Sequence, residues 1–390
     1  MANTTSPAIS PSTHRTDRLE RRHRSALERV RDLIAAREIP GVVLTRPGPV
    51  AWATGGMNPP IDRTAAVDTV WLAVGPSAAA VITTEVEAPR IRAELAPAGV
   101  AVEAVPWWDT DAMVAAAAEV LAAAPAELGS DGHAAFGYDL DHALTRIRLA
   151  LSEAEQDDLR ELGHDAADAV ERALQDWQPG EADRDIAARI AAAVESCGAD
   201  APCLLVGGDE RLLAYRHPVA NGSRPTRSVM AVLVARRDGL HVALTRHAVT
   251  ENAPELERGL SACREIHRAT LHAGRPGAAY GDALKALAAG YAHAGAAGEW
   301  RGHYQGGPIG YGQREFEIAP AETGSAWWAE VIATGTAFAW NPSLPGGAKD
   351  EDTYIAGASH LELITTTGGW RMVGDGTDLP RPAVLEMGSE

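Results

Sequence analysis

Residues that could transfer a proton or bind a charged group lie in four short segments of the sequence. A histidine suits proton transfer because its ordinary pKa, about 6.5, makes both protonation states available near neutral pH. An arginine can bind a carboxylate through two parallel hydrogen bonds, and a carboxylate can act as a base or hold a substrate. Such groups fit general acid–base catalysis, in which further donors can stabilise a developing negative charge. The segments are YRHPV, HYQGGPIGYGQREFEIAP, FAWNPSLPGG and GAKDEDTYIAGASHLELIT.

The three cysteines indicate neither a disulfide framework nor a zinc site. Cys197, Cys203 and Cys263 are too few and too widely spaced for either arrangement. We therefore expect free, buried thiols.

The segment VLVARRDGLHVALTRH, residues 232–247, predicts a β-hairpin. Alternating apolar residues flank Asp238-Gly239, the dipeptide most typical of a two-residue hairpin turn. Asp238 is the one aspartate of the segment, and it falls in the turn. The two strands are therefore expected to present apolar side chains.

The composition is that of a folded, acidic protein. The chain has 390 residues, of which 46% are hydrophobic and 23% charged, and its formal net charge is −18. The negative charge argues against nucleic acid or an anionic membrane as a partner, because phosphate binding needs a basic surface. No apolar run approaches the roughly 20 residues that span a bilayer. The polar N-terminus lacks the apolar core of a signal peptide, so we expect a cytoplasmic protein.

The order of predicted elements indicates an α/β protein of two domains. Residues 1–17 predict a disordered lead-in, and residues 18–150 a small domain in which helices alternate with strands. Within this domain, IPGVVLTRPGPVAWATGG predicts a strand, a turn and a second strand, VAWAT. Residues 151–390 predict a second domain, in which Ser152 and Glu155 form a capping box at the start of a long helix. A second helix, the hairpin, a helix pair and a strand-rich end follow.

This layout resembles the pita-bread fold of the creatinase, prolidase, aminopeptidase P and methionine aminopeptidase family. Five landmarks agree in order and spacing: the helical entry LSEAEQDDLRELGHDAADAVERAL, the segment YRHPV, the glycine loop HYQGGPIGYGQREFEIAP, and the strands FAWNPSLPGG and GAKDEDTYIAGASHLELIT. The resemblance covers most of the chain. It implies a small N-terminal creatinase-like domain followed by a C-terminal pita-bread catalytic domain.

The resemblance also places the family's metal ligands on this sequence. Metal-dependent members use two aspartates, a histidine and two glutamates, a set that suits a pair of divalent cations. These ligands fall on Val232, Ala243, Gly307, Asn341 and Glu351. Glu351 alone is of a type that binds such cations, so the resemblance implies a member with no metal and no other cofactor.

Catalytic roles follow from the same positions. His217 matches the histidine that, in creatine amidinohydrolase, carries a proton to the leaving nitrogen on a metal-free route. A histidine that only forms a hydrogen bond in a loop is the alternative. Glu351 and Glu315 are candidates for a base or a substrate clamp, with structural ion pairs as their alternative.

Substrate binding is expected from cationic and polar residues. Arg314 replaces a family histidine above the scissile bond and would bind a substrate carboxylate or polarise a carbonyl. Its alternative is an internal pair with Glu315 or Glu317. Arg63 falls in the loop that reaches the partner's site in dimeric relatives, so the resemblance implies a homodimer. The remaining expected binding residues are His303 and Asn341.

Together these matches predict a metal-independent hydrolase of a linear amide or amidine bond in a small, amino-acid-like substrate with a carboxylate. A similarity to the N-acetylcysteine-conjugate deacetylases of lincosamide antibiotic pathways would make the reaction a deacetylation. Two alternatives remain. One is a non-catalytic binding module that kept the fold, and the other is a metal-dependent aminopeptidase with a divergent site, which would contain stoichiometric manganese, zinc or cobalt.

Overall fold

A computed structural model gives the fold of two units of the chain, with the boundary between Arg148 and Leu149. The sequence prediction places this boundary between residues 150 and 151. The described parts of the chain are residues 13–57, 69–95, 97, 99–109, 111–374 and 379–387.

The first unit contains a mixed β-sheet with helices packed on it. The strands are β1 Val42–Leu44, β2 Val70–Val74, β3 Ala79–Thr84, β4 Ala101–Val105, β5 Gly129–Ser130 and β6 Tyr138–Asp139. The helices are α1 Thr13–Arg37, α2 Pro47–Ala53, α3 Ala88–Arg90, α4 Ala112–Leu121 and α5 Asp141–Arg148. The order of the sheet is β4-β3-β2-β1-β5-β6, in which β1, β2 and β3 pair antiparallel and the outer pairs are parallel. Helix α1 begins at Thr13, inside the predicted 1–17 lead-in.

One strand prediction in this unit is wrong. The segment VAWAT belongs mostly to helix α2, which begins at Pro47. The fixed φ of proline suits the first turn of a helix, where its missing N–H costs nothing. Arg46, in extended conformation, ends the preceding segment, and Val50 and Trp52 are buried. The two prolines therefore favour a helix in an apolar run that alone would suit a strand.

The second unit contains two four-stranded sheets with helices on the outside. Its helices are α6 Glu153–Gln175, α7 Asp183–Ser196, α8 Glu210–Ala214, α9 Pro254–Ala273 and α10 Tyr280–His293. Its strands are β7 Asp200–Gly208, β8 Ser228–Arg237, β9 Leu240–Val249, β10 Gly306–Ile309, β11 Ala337–Trp340, β12 Ser343–Leu344, β13 Ala348–Lys349, β14 Asp352–Ala356, β15 Leu361–Leu363, β16 Met372–Val373, β17 Arg381–Pro382 and β18 Leu385–Glu386. The orders of the sheets are β18-β9-β8-β7 and β10-β11-β14-β15. Helix α6 packs on β8 and β9, and α7 packs on β7.

The predicted hairpin and capping box are both present. Strands β8 and β9 pair antiparallel, and Asp238 and Gly239 turn the chain with φ of 49° and 80°. Two positive φ angles give the turn whose twist matches that of the flanking strands. At the start of α6, the Ser152 hydroxyl accepts from the Glu155 amide, and Glu155 accepts from the Ser152 amide at 2.6 Å. The α/β class predicted from the pattern is confirmed.

Backbone and side-chain bonds join the two sheets of the second unit. The Thr245 amide donates to the Glu351 carbonyl oxygen at 2.9 Å, and the Ala243 amide donates to the Thr353 hydroxyl at 2.8 Å. These bonds fix strand β9 against the segment that leads into β14. The two sheets therefore form one scaffold on which nearby side chains are held in register.

All three cysteines are free, as expected. Cys263 is buried, but Cys197 and Cys203 are only partly buried, so the expectation of buried thiols is wrong for two of the three. Cys203 lies on β7, at the edge of its sheet, and Cys197 follows the last residue of α7. Within the parts of the chain that the structure describes, no helix is long and apolar enough to cross a membrane.

Candidate functional site

Four of the residues expected from the sequence lie close together in the second unit. His217 is in the loop between α8 and β8, and His303 lies just before β10. Asn341 directly follows β11, and Glu351 lies between β13 and β14. Strand pairing brings these distant segments together, because β10, β11 and β14 are neighbours in one sheet.

Glu351 lies in a buried polar cage. Only 4% of the residue is exposed. The Thr245 hydroxyl donates to its Oε2 at 2.8 Å, and Asn341 Nδ2 donates to its Oε1 at 3.3 Å. The ammonium Nζ of Lys349 is 3.2 Å from Oε2. A buried carboxylate needs such partners, so this arrangement holds Glu351 in one position.

His217 and His303 form a pair beside this cage. Their Nε2 atoms are 3.1 Å apart, so one ring donates a hydrogen bond to the other, and the ring centroids are 4.9 Å apart. His303 is buried, whereas His217 is exposed as a residue and turns one edge of its ring inward to His303. The pair thus connects the interior of the site to its surface.

Both histidines are held in the neutral form. Partial loss of water around the ring, followed by the positive charge of Lys349, lowers the pKa of His217. Burial, and then the charge of Lys349, lower the pKa of His303 to about 2. Glu351 has the opposite, weaker effect on His217. At neutral pH His217 is therefore able to accept a proton.

Two buried polar atoms at the site have no hydrogen-bond partner among the described residues. They are Nδ1 of His303 and Oδ1 of Asn341. His303 and Asn341 are only 9% and 6% exposed, so bulk water does not surround them. Because buried polar atoms are nearly always paired, both atoms are suited to bind a ligand or a bound water.

Apolar residues occupy the strand positions nearest the cage. Val232 pairs with Thr245, and two residues along the ladder Val234 pairs with Ala243. Val232 packs with Leu212 and is 2% exposed, and Ala243 is 3% exposed. At Gly307, an added Cβ would meet Trp340 at 3.8 Å. Within the described residues, no three His, Cys, Asp or Glu side chains are grouped so as to hold a metal ion.

The expectation that Glu315 is catalytic is not supported by its contacts. Its Oε1 accepts from the amides of Tyr311, at 2.8 Å, and Gly312, at 3.2 Å. A carboxylate bonded to successive amides fixes a loop, and here it fixes the one that follows β10. Sequence position alone did not distinguish this use from catalysis.

Arg314 makes the internal pair that was the alternative to substrate binding, with Glu317 as its partner. Its guanidinium also lies 5.1 Å from the ring centroid of Tyr304. Its charge nevertheless reaches the site, since it lowers the pKa of His217. Arg63 lies outside the described residues, so its expected role stays a prediction.

The sequence analysis missed Lys349 and Thr245. One signal was available for Lys349, because the chain has only two lysines among its 35 lysines and arginines, and Lys349 is next to acidic residues in AKDED. Thr245 follows the Ala243 position by two residues on β9, so the strand period places it on the same face. Both residues contact Glu351.

The fold and site now define a two-unit α/β protein of the creatinase-like class. Residues 157–366 match the model of metallopeptidase family M24, and this is more than half of the chain. The chain belongs to this family, which is one of amide-bond hydrolases.

Solved structures share the fold along nearly the whole chain. The prolidase from Pyrococcus horikoshii OT3 is 18% identical, with a TM-score of 0.69 over 88% of this chain and 98% of that one. The dipeptidase PepE from Mycobacterium ulcerans is 20% identical, with a TM-score of 0.71 over 95% and 98%.

The N-terminal domain of the FACT complex subunit SPT16 from Cicer arietinum is 11% identical, with a TM-score of 0.63 over 91% and 97%. These likenesses confirm the pita-bread fold, which occurs in peptidases and in a subunit of a larger complex. Among proteins with curated descriptions, none matches this sequence.

Proposed function

We propose that this protein hydrolyses a linear amide or amidine C–N bond in a small, amino-acid-like molecule, and that it does so without a bound metal. The observation that carries the proposal is the neutral pair of His217 and His303 beside the caged carboxylate of Glu351. Family membership supports the reaction class. The metal independence and the kind of substrate are inferred from the chemistry of the residues at the site.

The donor set at the family's ligand positions supports the metal-independent route. The five positions hold Val232, Ala243, Gly307, Asn341 and Glu351, which offer one carboxylate and one neutral amide. Pairs of divalent cations are bound by several carboxylates or imidazoles. The carboxylate of Glu351 already has the Lys349 ammonium at 3.2 Å, and a divalent cation there would face a like charge. The residues present therefore do not fit the metal pair, and no step is assigned to one.

The proposed reaction begins with His217 as general base. Its neutral ring accepts a proton from a water whose oxygen adds to the scissile carbon. The C–N bond then breaks, and the protonated His217 gives the proton to the leaving nitrogen. His303 holds the ring of His217 through the bond between their Nε2 atoms. Glu351 holds Asn341, whose free Oδ1 is placed to accept from the substrate N–H.

The substrate is proposed to carry a carboxylate. The positive charges of Lys349 and Arg314 act on the same two histidines. Glu351 is the carboxylate paired with Lys349, and Glu317 is the one paired with Arg314. An N-acylated amino acid fits this charge pattern, and an N-acetylcysteine conjugate from antibiotic biosynthesis is one such molecule. The assay below distinguishes an acyl from an amidino group as the one transferred to water.

An assay of hydrolysis tests the proposal. Purified protein is incubated with N-acyl amino acids, N-amidino amino acids and dipeptides, with and without EDTA, and products are followed by mass spectrometry. We expect turnover of at least one N-acyl or N-amidino compound at a rate that EDTA does not change. Turnover that needs added manganese, cobalt or zinc would show a metal-dependent aminopeptidase instead. Tight binding with no turnover would show a binding module.

A homodimer and a cytoplasmic location remain proposals from the resemblance. If Arg63 serves the partner's site, then mixing Arg63→Ala protomers with His217→Ala protomers restores activity in the mixed dimer. Analytical ultracentrifugation of the wild-type protein gives the oligomeric state directly, and a monomer would remove this role for Arg63.

A further inference from the structure

We propose that Lys349 is a catalytic residue whose ammonium polarises the scissile carbonyl and binds the oxyanion that forms there. This inference rests on the proposed function, since it names the group that stabilises the transition state of that reaction. It gives the site the positive charge that a metal cation supplies in metal-dependent amide hydrolysis.

The two lysines of the chain have opposite surroundings. Lys285 is on the exposed side of α10, where it pairs with Asp282 at 3.0 Å and lies over the ring of Trp328. Lys349 is 4% exposed. A buried ammonium is costly unless it is paired and hydrogen-bonded. The other residues counted among the 35 lysines and arginines are arginines, so Lys349 is the one buried lysine of the chain.

The partners of Lys349 leave capacity for a ligand. An ammonium has three N–H donors. Among the described residues, Glu351 is its one anionic partner within 4 Å, at 3.2 Å. That same Glu351 oxygen, Oε2, also accepts from the Thr245 hydroxyl at 2.8 Å. A further acceptor near Nζ would therefore complete the bonding of a buried cation.

The atoms without partners match the atoms of an amide. Oδ1 of Asn341 is an acceptor, as the N–H of a substrate amide requires. Lys349 offers donors, as the carbonyl oxygen requires. His217 supplies the base, and the charge of Lys349 is the strongest one acting on it. Lys349 and Asn341 both contact Glu351, whose charge also acts on His217, so donor, acceptor and base belong to one cluster of side chains.

The charge balance of the site also suits an oxyanion. Val232 and Ala243 bring no carboxylate to the hairpin face, so Glu351 is the anion in contact with Lys349. With His217 and His303 neutral, the cluster has no net charge before the reaction. One further negative charge can therefore form beside the ammonium without facing a row of carboxylates.

The step balances without any other reactant. As the water oxygen adds to the carbonyl carbon, the C=O π electrons move to the oxygen, which is then bound by an N–H of Lys349. When C=O re-forms, the C–N bond breaks and the nitrogen takes the proton held by His217. Lys349 keeps its protons throughout, so it acts by charge and not as an acid.

Kinetics of Lys349→Met test the assignment, with Lys285→Met as the matched control. For Lys349→Met we expect kcat to fall about 10²–10³-fold, as on loss of an oxyanion donor, with KM within about threefold of the wild type. Ethylammonium added to Lys349→Ala, which leaves space for it, should restore part of kcat, and Lys285→Met should match the wild type. An unchanged kcat would overturn the assignment. A raised KM with unchanged kcat would also overturn it, because Lys349 would then bind the ground-state carboxylate.

A second measurement uses the wild-type protein, so it does not depend on how the variant folds. The protein is labelled with acetic anhydride in the presence and absence of a methylphosphonate analogue of the preferred N-acyl amino acid, or of N-acetylalanine if none is preferred. Because there are only two lysines, Lys285 is an internal standard in the mass spectrum. We expect the analogue to slow acetylation of Lys349 at least about tenfold and to leave Lys285 unchanged. Equal rates at Lys349 would contradict the proposal.

The two arms separate the two proposals. If the wild type turns over its substrate and Lys349→Met does so at the full rate, the proposed function is retained and the role of Lys349 is excluded. A wild-type protein that turns over nothing loses the proposed function. Protection of Lys349 by the phosphonate would then still identify it as the anion-binding residue of the site, and absence of protection would remove that role as well.

Discussion

Residues 349–352 contribute charged side chains to two neighbouring regions of the second unit, a buried ion network and the candidate site. Asp350 and Asp352 enter a buried ion network. Asp350 accepts from Arg381 at 2.7 Å and pairs with His267 Nδ1 at 2.9 Å. Asp352 accepts from Arg246 at 2.9 Å, and Arg381 is 3.3 Å from its other oxygen. Lys349 and Glu351, which alternate with these aspartates, contact Thr245, Asn341 and each other instead.

The difference between the two regions is how fully the charges are paired. In the ion network both aspartates pair with arginines. Burial alone would raise the pKa of Asp350, but Arg381 and His267 hold it below its usual range. At the site one ammonium meets one carboxylate, and two polar atoms nearby have no partner among the described residues. In the network Asp352 Oδ2 and His267 Nε2 also lack a hydrogen-bond partner among the described residues, so the two regions differ in how many ion pairs hold the charges and not in the pairing of every polar atom. Burial alone would not have separated the two.

The largest expected effect is on activity at the site. His217→Ala removes the proposed base and should lower kcat about 10²–10⁴-fold. The midpoint of thermal unfolding should not change, because His217 is exposed and packs mainly on His303. His293→Ala, at the exposed end of α10, is the control. Turnover within threefold of the wild type would exclude His217 as the base.

In the ion network, the expected effect is on stability. Asp350→Asn leaves Arg381 without its closest carboxylate and should lower the free energy of unfolding by about 3–5 kcal/mol. Urea denaturation measures it. Asp157→Asn, which breaks the exposed pair with Arg160, should cost less than about 1 kcal/mol.

The double variant Lys349→Met/Glu351→Gln tests whether the ion pair of the site contributes to stability as the ion network does. It removes both charges of one buried pair together, so the free energy of unfolding should change by no more than about 2 kcal/mol. Activity should be lost. A loss of stability as large as that of Asp350→Asn would mean that the site is part of the structural network.

Acid pH should affect stability and activity through different histidines. Burial lowers the pKa of both His241 and His247 to about 4. The unfolded chain binds these protons near pH 6.5, so their stabilisation is complete above pH 6.5 and is lost as the pH falls towards 4. Each can contribute on the order of 3 kcal/mol. Urea unfolding at pH 7.5, 6 and 5 should show this decline.

Activity depends on the neutral form of His217, whose pKa is also lowered. The kcat of the folded protein should therefore be constant above pH 6.5 and fall only below it, through a pKa under the ordinary value. A rise in kcat on acidification between pH 7 and 6 would mean that the protonated ring is the active form.

The smallest expected effect comes from the cage around Glu351. Thr245→Val keeps the shape and removes one hydrogen bond to the carboxylate, so kcat should fall about 5–10-fold, equivalent to roughly 1 kcal/mol. Thr270→Val is the control, because its buried hydroxyl bonds to its own helix at Ile266. An equal loss of activity in both variants would show a general effect of packing.

Much of the fold followed from local patterns. The Asp238-Gly239 turn and the Ser152–Glu155 capping box predicted a hairpin and a helix start that are both present. The helices predicted after the hairpin correspond to α9 and α10. The failure at VAWAT came from reading an apolar run without the preceding Pro47 and Pro49. Local propensity fixes an element best where a turn or cap residue marks its end.

Less of the candidate site could be predicted. His217, His303, Asn341 and Glu351 were found through the resemblance, and the structure brings them together. Glu315 was expected to be catalytic, but it binds loop amides. Lys349 was not recognised, because the sequence does not show that its side chain contacts that of Glu351. Which side chains share a cavity depends on strand register and long-range pairing.

The sequence by itself determined the class of fold and the absence of aspartates from the strands of the hairpin, since Val232 and Ala243 are facts of the sequence. Only the tertiary structure shows that, within AKDED, Asp350 and Asp352 belong to the ion network and Lys349 and Glu351 to the site. Alternation along a strand separates side chains into two sets, but each set acquires its chemistry from what packs against it. For Asp350 that partner is Arg381, and for Glu351 it is Lys349 with Thr245. Arg381 is 31 residues from Asp350 and Thr245 is 106 residues from Glu351, so the sequence alone does not show these contacts.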